Sequence, residues 1–311
     1  LPSPSYVAGV ALGTLIFGVI VLAFSFLRMG TTGLTSRAAG AGLEREISRI
    51  LMRSLLIALI GSILLILLHP FILMLALQWI KTSPAVSLHT DTYFNVRIWG
   101  LPATLGNAVM IGWLLGQQAM RLCMTQLIFV NALNIAFNLL FVLRFGLDVD
   151  GVAAASAVSE WAGFILMIAI VRAQPSRFPL NLSSLNASIL FAYDKWLSML
   201  KIARDLSARA LLVWAIEALL LSQAASGGDN AVAAVQIVLV IFAFISFGLD
   251  GFAHATEALA GTAIGAGNRA KLILIIKRTS VLAAVTAVSM SAALYLLEGL
   301  LIPTMTSQVA L

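Results

Sequence analysis

Long apolar runs separated by short polar links dominate the chain. Eight of them, near residues 6–27, 54–79, 94–118, 124–143, 151–172, 199–223, 231–253 and 280–302, reach the length of a membrane crossing. A hydrocarbon core of about 30 Å takes about 20 helical residues. The length of the runs and the lack of strict apolar–polar alternation favour helices over a membrane β-barrel. The expected fold class is therefore all-α, a polytopic helical bundle. Composition agrees, with 61% hydrophobic and 10% charged residues, against about 25% charged in an average soluble domain.

The pattern repeats. With an offset of 225, Gly40-Ala41-Gly42 recurs as Gly265-Ala266-Gly267. The same offset pairs Ile16, Phe17 and Ile20 with Ile241, Phe242 and Ile245, Thr31 with Thr256, and Arg53 with Arg278. Residues 8–68 and 233–293 are thus expected to form equivalent helix pairs. Six spans, an even number, separate the copies, so both pairs enter the membrane in the same direction and are related by an axis along the membrane normal. The second copy holds two spans of the six, and the chain opens at a helix edge without Met. An internal fragment of a longer transporter is expected from this arithmetic.

Charge sets orientation. With the link after the first span on the cytoplasmic side, sixteen Lys and Arg residues fall on that side and only Lys81, Arg97 and Arg144 opposite. That asymmetry follows the positive-inside rule. The net charge of +6 then reports topology and anionic headgroups, and no nucleic-acid partner is expected. The single cysteine, Cys123, excludes an internal disulfide and a cysteine metal cluster. A polar link over 173–198, with Pro175, Pro179, Asn181, Ser183 and Ser184, divides a first lobe (1–172) from a second (199–311).

Several phrases carry a family resemblance: FLRMGTTGLTSRAAGAG at 26–42, RIWGLPATLGNAVMIGWLLGQQ at 97–118, NALNIAFNLLFV at 131–142, VDGVAAASAVSEWAGF at 149–164 and FGLDGFAHATEALAGTAIGAG at 247–267. The chain resembles the multidrug and toxic compound extrusion (MATE) transporters, in their DNA-damage-inducible protein F-like branch. The resemblance implies two six-helix lobes in the whole protein, of which this chain would hold the second to ninth helices. It implies a secondary active antiporter that exports organic cations and other toxic amphipathic compounds by rocking of the lobes. Protons or sodium would be the coupling ion, with no further cofactor, in the cytoplasmic membrane of a bacterium and as a monomer. In the family, an Asn and an Asp on the fifth helix and a hydroxyl on the sixth contribute to a cation site. Here Asn134, Asn138 and Ser156 match those positions, with an amide in place of the usual acid.

Ionisable groups inside spans cost about 2.5–3.5 kcal/mol on insertion scales and mark cavities or partners. Glu160 sits near the middle of its span and Glu217 in the outer half of another, about a turn from where family branches place a functional Glu. Asp250, His254 and Glu257, spaced four and three apart, share one helical face. Their repeat counterparts are Ser25, Met29 and Thr32. A histidine between two acids can pass a proton near neutral pH, or the stripe can be interfacial charge. Asn131, Asn134 and Asn138 form an amide stripe that can bind a cation or join helices.

The competing reading is a lipid-intermediate flippase, which would need a cationic cavity, and Lys and Arg are expected to avoid mid-membrane positions here. A membrane enzyme is disfavoured, since the chain has three histidines and neither H-E-x-x-H nor G-x-S-x-G. A fragment that transports nothing by itself is the remaining reading.

Overall fold

The computed structural model describes residues 4–80, 82–178, 180 and 192–305, all in helices and short turns. In chain order the helices are α1 (Pro4–Ala23), α2 (Phe26–Gly40), α3 (Glu44–Ile80), α4 (Pro84–Arg97), α5 (Leu101–Gly116), α6 (Met120–Asn138), α7 (Val149–Ala173), α8 (Tyr193–Ala225), α9 (Asp229–Gly265) and α10 (Arg269–Met305). α1 with α2, and α4 with α5, each make one bent span, so eight candidate membrane spans result among the described residues. Lys81 and residues 181–191 of the expected connector, Asn181, Ser183 and Ser184 among them, lie outside the described residues, as does Pro179.

The offset that aligns the sequence also aligns the elements. Pro4–Gly40 maps onto Asp229–Gly265, and Glu44–Ile80 onto Arg269–Met305, each 37 residues long. The turns between them are copies. Gly42 (φ 70°) and Gly267 (φ 65°) are left-handed, a conformation only glycine adopts without strain. Leu43 N–H donates to Ala38 O, and Asn268 N–H to Ala263 O, both at 2.9 Å. This is the bonding that ends a helix on a C′ glycine.

One difference separates the copies. α9 is continuous, whereas the first copy breaks at Phe24–Ser25, where Phe24 and Ser25 N–H groups bond only three residues back. The Ala23 carbonyl accepts from Ser207 Oγ of α8 at 2.7 Å. A broken turn inside a membrane survives because a neighbouring helix satisfies the freed backbone.

Two sequence expectations need correction. The Thr/Gly-rich stretch after residue 27 is not a link but the second half of a long helix. Its Thr31, Thr32, Thr35 and Ser36 are buried, Thr31 Oγ1 donates to Ser54 Oγ, and Thr32 Oγ1 to the Arg28 carbonyl, both at 2.9 Å. Hydropathy ended the span there because it cannot see small hydroxyl side chains satisfied between helices. The third span likewise starts ten residues early, at Pro84, where Ser83 Oγ accepts from Val86 N–H and Pro84 takes the first helical turn, the usual start signal. Arg97, expected outside, is consequently buried inside the membrane, so basic residues do not all avoid its interior.

Within the N-terminal bundle α1 pairs with α4 and both meet α7, while α2, α3, α6 and α7 pack against α5. That helix is apolar on every side, as a central helix must be, and its buried residues run from Leu101 to Gly116. Gly112 and Gly116, four apart, let the α2 backbone close in at Arg28 and Thr32, the small-residue spacing by which membrane helices approach. Trp113 Nε1–H donates to the Ile47 carbonyl at 3.0 Å, and its ring lies against Phe178. Cys123 is a buried thiol near the Ile111 carbonyl.

Candidate functional site

The C-terminal helices meet the N-terminal bundle chiefly where α9 crosses α2. At the crossing, backbone approaches backbone. A Cβ on Gly40 would strike the Thr262 carbonyl, one on Gly265 the Arg37 carbonyl, and one on Gly261 the Ser36 hydroxyl. With the offset of 225, Arg37 corresponds to Thr262, Gly40 to Gly265, and Ser36 to Gly261. Contact Gly40–Thr262 is therefore the mate of Gly265–Arg37, and Ser36–Gly261 is its own mate. The contact is isologous, as across a two-fold axis between two copies of one element.

Charge collects beside this crossing. On the α2 side, Arg28 Nη1 donates to Nε2 of His254 on α9. Glu257, one turn on, is half-buried over Gly33 and lies in the field of the same guanidinium. Asp250 is exposed on the preceding turn, close enough to act on His254 electrostatically. The stripe read from the sequence thus faces the seam through His254 and Glu257, with Asp250 at its margin. Gln118 stands nearby at φ 60°, the left-handed position that glycine fills in both repeat turns, and its Nε2 reaches toward Thr262 Oγ1 at 3.4 Å.

Within the N-terminal bundle, two separate polar groups replace the single amide stripe. Asn134 Nδ2 donates to Ser156 Oγ at 3.0 Å, and Asn138 Nδ2 donates to Asn134 Oδ1 at 3.0 Å. Asn138 Oδ1 is buried without a partner. A π-helical turn, Leu139–Arg144, follows directly, the kind of irregularity often found at functional sites. Asn131 is not part of this group: it is exposed and bonds back to the Leu127 carbonyl. Glu160, one turn from Ser156, turns elsewhere. Its Oε2 accepts from Asn107 Nδ2 at 2.8 Å and its Oε1 lies 3.9 Å from Arg97 Nη2. The Arg97 guanidinium stacks 4.1 Å from the centre of the Phe17 ring.

Glu217 lines a cavity of about 370 Å³ with Leu15, Trp214, Gln236 and Leu239. Leu15 belongs to α1 and the rest to α8 and α9, so the cavity lies between the two groups of helices. An apolar wall with an indole, an amide and one carboxylate can hold an organic cation. Sequence reasoning read Arg28 and Arg97 as border charges and Gln118 as interfacial, and gave Asn107, inside the expected 94–118 span, no role. Ser83-Pro84 as a helix start was the signal that would have moved Arg97 from the outer border to the middle of its span.

Eight spans around a doubled helix pair, with polar side chains turned to internal seams, define a multi-pass membrane protein of the two-bundle transporter fold. The chain matches the MatE family over residues 1–140 and 206–310, and it belongs to that family, one of transporters and not of enzymes. DNA damage-inducible protein F of Escherichia coli (strain K12) is 32% identical over 275 residues, 88% of this chain and 59% of that protein. A probable multidrug resistance protein NorM of Synechocystis is 28% identical over 165 residues, 50% of this chain and 35% of that protein. This chain therefore spans about three-fifths of the first relative's length. Among solved structures, an outward-facing multidrug resistance MATE family transporter aligns with TM-score 0.88 and 22% identity, over 99% of this chain and 68% of that one. A MATE protein in complex with MaD3S aligns at 0.85 and 19%, over 98% and 68%.

Proposed function

We propose that the protein exports organic cations and other toxic amphipathic compounds as a secondary antiporter in a bacterial cytoplasmic membrane, driven by inward protons or sodium. Residues 1–172, with α1–α7, form one lobe and 199–311, with α8–α10, belong to a second, joined by 173–198, into which the end of α7 and the first turns of α8 extend. The lobes rock, and the α2–α9 seam closes the cytoplasmic side. The observation that carries this reading is the isologous seam with a titratable cluster on its edge, because a two-fold contact between repeats can part without either lobe repacking. Arg97 inside the membrane does not make the cationic cavity a lipid-intermediate flippase needs, since Glu160 faces it.

Protons act on the seam with a definite sign. Neutral His254 accepts the Arg28 hydrogen bond; a protonated imidazole has no acceptor and places a second positive charge beside the guanidinium. Proton uptake at His254 therefore loosens the seam, while Glu257 and Asp250 moderate the repulsion. His254→Gln keeps an acceptor and removes the titration. Export of a fluorescent organic cation from vesicles holding the full-length protein is expected to lose the part of its pH dependence that the imidazole confers. Abundance should stay near that of the parent. A parental pH profile in His254→Gln would count against the cluster, and absence of any ion-driven export by the parent would overturn the antiporter reading.

The amide pair offers a second test. Asn138→Asp would place a carboxylate beside Asn134 and Ser156, in the position where the family usually has one. Ion-driven export by that variant is expected to become more strongly dependent on the proton or sodium gradient than in the parent, measured at matched protein levels. No change in gradient dependence would mean that the amides only hold α6 to α7.

A further inference from the structure

A graded groove runs up the other flank of the seam. Its mouth, of about 570 Å³, is lined by Leu43, Glu44, Arg45, Glu46 and Arg49. Deeper in, a cavity of about 330 Å³ shares Leu43 and Glu46 with that mouth and adds Arg37, Arg53, Met199 and Ile264. Above it the apolar contact between α2, α3 and α8, from Leu34 and Met199 to Ile202 and Phe26, is nearly closed, with a cavity of only about 10 Å³. Polarity thus falls steadily from the basic end of the helices toward the middle of the membrane.

We propose that this groove holds one anionic phospholipid of the cytoplasmic leaflet, its phosphate among Arg37, Arg45 and Arg49 and the start of an acyl chain against Leu34, Leu43, Met199 and Ile264 of the deeper cavity. Two observations select that occupant. The two lower cavities carry four arginines against two glutamates. Glu46 is engaged by Arg49 at 3.6 Å and Arg53 at 2.9 Å, whereas Arg37 and Arg45 make no ion pair among the described residues. An anion is favoured there and a cationic transport substrate is repelled.

Basic pockets between membrane helices on the cytoplasmic side are known anionic-headgroup sites. Because α2 and α3 supply one wall and α8 and α9 the other, the lipid stabilises the arrangement in which the seam is closed.

The test is native mass spectrometry of the full-length protein from micelles holding equal phosphatidylglycerol and phosphatidylethanolamine. One phosphatidylglycerol is expected to be retained in preference to the zwitterionic lipid. Arg37→Gln, at an exposed position, should reduce that preference about fivefold, the effect of one basic residue near an anionic surface. Leu34→Trp fills the deeper cavity, which Leu34 lines, with the charges intact and should abolish retention of both lipids, the melting temperature reporting that the protein remains folded. Equal retention of the two lipids by the parent, or a preference unchanged in Arg37→Gln, would overturn the proposal.

Discussion

Replacing Gly40 or Gly265 with alanine is expected to open the cytoplasmic side of the protein while leaving it as well folded as before, or better. Alanine is favoured over glycine in a helix by about 1 kcal/mol, so α2 or α9 itself gains. The seam loses, because each new Cβ meets a backbone carbonyl, that of Thr262 or of Arg37, and neither is the end of a flexible side chain that can swing away. Overpacking of this kind costs about 1–3 kcal/mol, roughly a five- to 150-fold shift between the closed and open arrangements. A cysteine placed at Ala38, which is buried at the seam, reports the change. With Cys123 replaced, its labelling by a water-soluble maleimide from the cytoplasmic side should accelerate by that factor in Gly40→Ala, and organic-cation export should fall. Unchanged labelling in both glycine variants would mean that the crossing is not the barrier.

The other large effect is expected at Glu160, and on folding more than on transport. Arg97 is 8% exposed and Asn107 4%, and Glu160 is the carboxylate that faces both. The Glu160 side chain is 21% exposed and 3.9 Å from Arg97, so its removal costs less than the roughly 3–5 kcal/mol of a fully buried pair, but it still leaves the Arg97 charge without compensation. Glu160→Gln should therefore lower the melting temperature in detergent and the yield of monodisperse protein. Arg97→Met added to Glu160→Gln should recover most of the loss, since no uncompensated charge then remains. A single variant with parental stability but impaired export would instead make Glu160 a proton carrier.

Legibility in the sequence followed the physics of each element. The spans were readable because about 20 apolar residues in a row have few uses outside a membrane, and the repeat was readable because glycine at a left-handed cap cannot easily be replaced. The seam was not. Its contacts lie between Ser36, Gly40, Gly261 and Gly265, whose small side chains give no hydropathy signal, and the residues come together only through the two-fold relation of the copies. The acidic stripe on α9 was visible as a spacing, but its partner Arg28 lay at what hydropathy took for a helix end. Glu160 stood out as an acid inside a span, and what the pattern could not convey was that Arg97, 63 positions earlier in the chain, lies on a helix packed against it.

The backbone character of the crossing has a kinetic side. Two surfaces joined by interlocked side chains separate only after several rotamers have moved together, and each such step roughens the path between states. At Gly40, Gly261 and Gly265 there is almost nothing to disengage: carbonyls and small groups slide apart, and water can enter behind them. Such a seal has little internal friction. On the proposed mechanism its opening rate is then set by the charges at its edges, the Arg28–His254 pair among them, and a low barrier needs no loosely built lobe.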